Sequence, residues 1–207
     1  MRKIKSYLVF TSFLYRLMMF GLIHLILLGL MIVFPFRPYT QAVFVVFFEI
    51  MSDNWLFGGI CSKDAQSMNY LKSSKKGMQV LKDGLVVNLA RCLLNSSLWI
   101  CIGFFYTKSQ NPEAFTLTTW QTVCFLGASI LFTYSLCVAG ITISRFFSNY
   151  WINMLISYAA MILLVLAMLF SLDATYLVFI ALVLAILVSI LSLRIVLKKM
   201  KESYYDK

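Results

Sequence analysis

The sequence is short of charge. Only 13% of its 207 residues are Asp, Glu, Lys or Arg, and 61% are hydrophobic. A soluble domain carries about 25% charged residues. That imbalance excludes a water-soluble globular fold and places the chain among integral membrane proteins. Acidic residues are scarce, 8 against 18 Lys and Arg, for a net charge of +10. The cations stand in short blocks between apolar runs and form no basic face interleaved with aromatics. Nucleic acid is therefore not an expected partner.

Histidine is almost absent. The single His24 cannot build a Ser-His-Asp arrangement, and one imidazole without carboxylate or thiolate neighbours gives no metal-ligand spacing. The expected role for it is an interhelical hydrogen bond or a place near a water-accessible face. No adjacent Glu-Glu pair marks a membrane protease. No G-x-x-x-x-G-K-[ST] loop is present to cradle phosphates. The reading is accordingly no enzyme, no catalytic residues, and no cofactor or metal in this chain. The five cysteines (Cys61, Cys92, Cys101, Cys124, Cys137) show no pairing or metal spacing and read as small buried hydrophobes. No small-residue cleavage site follows the N-terminal apolar run, so it is read as a retained helix.

What the sequence does hold is long apolar runs. A transmembrane helix takes about 20 mostly apolar residues, and six stretches qualify. They lie at about 14–35, 40–58, 85–106, 117–140, 151–171 and 175–197. The expected fold is all-α, a single transmembrane domain over residues 1–207. Arg37 between two prolines stops the first helix. Glu49 and Asp53 interrupt the second. Lys and Arg concentrate before the first helix, between the second and third, between the fourth and fifth, and after the sixth. Only Arg37 and Lys108 fall in the alternate loops. That bias predicts six spans with both termini cytoplasmic in a cell membrane.

Charges inside a bilayer are costly and face the bundle interior, a partner or water. Glu49 and Asp53 share one helix face, and Arg91 lies about two turns into the third helix. The loop joining these helices sets Asp53 and Arg91 at similar depth, which predicts an Asp53–Arg91 pair with Glu49 deeper and facing the interior. The alternative has Asp53 and Arg91 snorkelling to the headgroups. Asn95, Ser96 and Ser97 read as hydrogen-bonding glue between helices.

The cytoplasmic loop 59–84 is the longest hydrophilic stretch. Asp64 is a candidate N-cap for a short amphipathic helix. The sequence "SSKKG" then makes a basic turn with Gly77 at a turn position, and Met78, Leu81 and Leu85 resume the apolar pattern. Lysines in such a loop fix orientation and attract anionic membrane lipid. The stretch "YLKSSKKGMQVLKDGL", together with the six-helix topology, resembles permeases of the type-2 export class of ABC transporters. Their loop between helices two and three carries a short coupling helix that meets a separate ATPase.

The resemblance implies that Tyr70, Leu71, Lys72, Ser73, Ser74, Lys75 and Lys76 contact an ATP-binding subunit. It implies an ATP-driven exporter, with ATP and Mg held by that partner and the permease working as a homo- or heterodimer. It likens the first sixteen residues to the family's interfacial connecting helix. Lys72–Ser73 stand where the family has a proline, and "SLDAT" is short for an outer loop of that family. Two other readings keep the same topology: a non-transporting accessory or immunity protein, and a channel or secondary carrier.

Overall fold

The computed structural model describes residues 2–33, 43–52, 66–110, 112–114, 117–146 and 177–205, together with scattered helical positions between 151 and 166. Among the described residues the protein is all-helical, with no strand. Four helices are long and apolar enough to cross a membrane. Of the six expected spans, the fifth falls largely outside the described residues, as does the second beyond Ser52.

Helix α1 (Arg2–Phe10) is amphipathic, with Ser6 and Tyr7 buried and Lys3, Ile4 and Lys5 exposed. Ser12 caps the next helix by accepting from the Tyr15 amide at 3.1 Å. That helix, α2 (Phe13–Val33), is not uniform. Met18–Leu22 form a π turn between two α-helical halves. Its buried residues are Tyr15, Met19, Ile23, Leu27 and Met31, each four after the last. Four residues turn a plain α-helix through about 400°, so such a row drifts about 40° per step. The π turn holds an extra residue and takes back about 100° of that drift. The buried row therefore stays on one side.

Helix α3 (Val43–Ser52) buries Val45, Val46, Glu49 and Ile50. The short helix α4 (Gln66–Ser73) leads through Ser74–Lys76 into α5 (Gly77–Gln110). α5 is the longest described element and touches α1, α4 and α6. A 3-10 turn at Pro112–Ala114 precedes α6 (Thr119–Phe146). The last element is α7 (Leu177–Tyr205), and its packing on α6 is the most extensive in the structure.

Side-chain contacts fix the directions. Phe104 near the end of α5 meets Phe125 near the start of α6, so these two run antiparallel. Gly127 lies against Leu182 and Ser135 against Ser189, so α6 and α7 run parallel. Tyr15 reaches Asn88 through Tyr7, and His24 bonds Trp99, so α2 runs parallel to α5. Between two parallel helices of one chain the backbone has to come back to the end it started from.

Candidate functional site

α5 carries Asn88, Arg91, Cys92 and Asn95 at spacings of three, one and three residues, which sets them on one helix face. Asn88, Cys92 and Asn95 are buried, and the Arg91 side chain is 10% exposed. Facing them from α3 is Glu49, 1% exposed. The Arg91 guanidinium grips this carboxylate through two parallel bonds, Nη1 to Oε1 at 2.9 Å and Nη2 to Oε2 at 2.7 Å. Asn95 Nδ2 donates to Oε1 at 2.5 Å, and the Cys92 thiol donates to Oε2 at 3.2 Å. Each carboxylate oxygen thus has two donors, which fills the acceptor capacity of the group.

The network continues toward the N-terminus. Asn88 Oδ1 accepts from Arg91 Nε at 3.2 Å and from the Tyr7 hydroxyl at 3.3 Å. Tyr7 in turn meets the Tyr15 hydroxyl at 3.4 Å. One polar cluster therefore joins α1, α2, α3 and α5. Higher on the same side, Trp99 Nε1 donates to His24 Nδ1 at 2.9 Å, the interhelical bond expected of the single histidine. Among the described residues no group of His, Cys, Asp and Glu is placed to hold a metal.

Asp53, the expected partner of Arg91, lies outside the described residues; within them the guanidinium is found on Glu49, one helical turn earlier. Glu49 faces the interior, where its oxygens are taken up by helix-to-helix bonds. Among the described residues, only Asn95 of the three polar residues 95–97 reaches another helix. Ser97 Oγ bonds the Leu93 carbonyl of its own helix at 2.8 Å, and the buried Ser96 Oγ has no partner among the described residues. Among the described residues, Cys92, Cys101, Cys124 and Cys137 form no disulfide. Cys92 acts as a hydrogen-bonding member of the cluster and not as a plain hydrophobe. Asn88 and Cys92 were not singled out from sequence. The signal that marks them is the polar stripe at i, i+3, i+4 and i+7 on an otherwise apolar helix.

The second region of interest is the basic turn. Leu71 is buried, while Tyr70, Ser73, Ser74, Lys75 and Lys76 are exposed and Lys72 is half-buried. The Leu71 carbonyl accepts from the Ser74 amide at 3.1 Å and from the Tyr204 hydroxyl of α7 at 3.3 Å. Ser73 Oγ bonds the Tyr70 carbonyl at 2.7 Å, and the Gly77 amide closes the turn on the Ser74 carbonyl at 3.0 Å. A Cβ on Gly77 would run into the Leu71 carbonyl oxygen, so the close approach of α4 to α5 requires glycine here. The candidate N-cap Asp64 lies outside the described residues.

No family model, no curated protein and no solved structure matches this chain.

Proposed function

We propose that the chain is the transmembrane permease subunit of an ATP-driven ABC-type exporter of the cell membrane, paired with a second permease subunit and powered by a separate ATPase. The observation that carries this reading is the helix-turn at 66–77. Its inner side is tied to both long helices that end there, through Leu71, Gly77 and Tyr204. Its outer side presents Tyr70, Lys75 and Lys76 to solvent. A short element held this firmly passes a push from below into α5 and α7 with little loss, as a coupling helix has to do.

The paired parallel helices support six spans: each required return of the chain adds one crossing to the four long helices. With both basic ends of α5 and α7 on one side, the charge bias supports cytoplasmic termini. The Glu49–Arg91 cluster then sits within the bilayer as a fastener that keeps α3 on α5 while the subunit moves.

Purification of the complex in mild detergent tests the proposal. An ATPase is expected to co-purify with the parent protein, and Lys75→Glu/Lys76→Glu is expected to lose it. If no ATPase accompanies the parent, the exporter reading fails and the accessory or immunity reading takes its place. If one does and the double variant holds it normally, the assignment to Lys75 and Lys76 fails.

A further inference from the structure

The first turns of α5 and the last turns of α7 do not close on each other. They leave a groove of about 500 Å³, within the size range of pockets that hold a small ligand. Its walls are apolar, with Leu81 and Leu85 from α5 and Leu197 from α7, helped by a methionine on each helix. Three cations line it as well: Lys82, Lys198 and Lys201. All three are exposed, and none of their ammonium groups has a hydrogen bond or ion pair among the described residues.

An apolar trough edged by three free lysines at the end of a membrane bundle matches one class of molecule. We infer that the groove is a binding site for a single anionic phospholipid, with an acyl chain against the exposed Leu197 and over the buried floor of Leu81 and Leu85, and the phosphate among Lys82, Lys198 and Lys201. The walls exclude an all-polar ligand, because burying their apolar surface is what the acyl chain contributes. The lysines select the headgroup, since their charge is opposite to its own. A zwitterionic lipid fills the trough equally well but gains little from the cations. The site lies beside the Tyr204–Leu71 contact, so a bound lipid would brace the inner ends of α5 and α7 where α4 is attached. The inference rests on the helices lying in a membrane and not on the presence of an ATPase.

Native mass spectrometry of the full chain in detergent tests it, with phosphatidylglycerol and phosphatidylcholine of the same acyl composition. One phosphatidylglycerol is expected to bind about a hundredfold more tightly than phosphatidylcholine, at about fivefold per lysine. Lys82→Gln/Lys198→Gln/Lys201→Gln should abolish the preference. A control that removes the same charge elsewhere, Lys3→Gln/Lys75→Gln/Lys76→Gln, should keep it. Equal binding of the two lipids, full displacement by millimolar inorganic phosphate, or an equal loss in the control would each overturn the site. So would a stoichiometric protein that co-purifies and blocks the lipid. Should the groove variant fail to fold, the comparison of the two lipids on the parent protein decides alone.

Discussion

Two interfaces of this protein are fastened in opposite ways. Where α3 meets α5, a carboxylate and a guanidinium are buried together and ringed by amide, thiol and phenol groups. Where α6 meets α7, the polar contacts among the described residues are made by two serine hydroxyls, and Ser189 Oγ also donates to the Leu131 carbonyl of α6 at 3.2 Å. Ser135 Oγ and Ser189 Oγ lie 2.8 Å apart, and each also bonds a carbonyl one turn back in its own helix, at 2.7 Å. The second interface closes tightly on a small residue: a Cβ on Gly127 would stand 3.1 Å from Leu182 Cδ1. Helices in lipid associate through close packing with modest hydrogen bonds, and α6–α7 follows that rule. Close packing fastens α6 to α7, while a charge pair fastens the described part of α3 to α5. Packing and charge are thus alternative solutions to one problem, and they fail differently: a packed interface degrades by degrees, while a paired one fails when one partner goes.

The largest effect that would break this contrast is expected from Arg91→Ala, which strands Glu49 in the interior. Loss of one partner of a buried pair costs about 3–5 kcal/mol, to be read as the shift in unfolding free energy in detergent micelles. Glu49→Ala/Arg91→Ala should cost clearly less than the sum of the two single variants. Additive single effects would mean that the pair is not coupled. Asn95→Ala removes one of the four donors to Glu49 while leaving the guanidinium in place. About 1–3 kcal/mol is expected by the same measurement, placing it between the two extremes. The smallest effect belongs to the other interface. Ser189→Ala leaves Ser135 its own-helix carbonyl and should cost about 0.6 kcal/mol. A loss as large as that for Asn95→Ala would show that α6–α7 depends on its hydroxyls after all.

The long spans were legible because about twenty consecutive apolar residues leave few other options, and the four long helices fall where those runs lie. Loop 66–77 was legible in outline, since serine, lysine and glycine in succession break a helix for local reasons. What it packs against was not, because Tyr204 lies 133 residues from Leu71. Arg91 was recognisable as a residue in need of a partner. Loop connection alone does not indicate the bidentate contact with Glu49, four residues before Asp53. Tyr7 is the least legible member. It lies in a basic segment that reads as a headgroup helix, and nothing local indicates that its hydroxyl reaches a helix eighty-one residues away.

The π turn at Met18–Leu22 divides α2 into two segments of different rotational phase. The upper segment, with His24, is set relative to Trp99 by the extra residue in that turn, while the lower segment, with Tyr15, is set relative to Tyr7 by the Ser12 cap. Deleting one residue within 18–22 removes the extra residue and leaves the upper segment in phase, whereas an unbroken α-helix over all these residues would swing everything above the turn by about 100°. His24 would then leave Trp99, Leu27 and Met31 would turn outward, and Tyr15 would stay where it is. One inserted residue thus lets a single helix keep two appointments that an ideal helix of the same sequence would miss.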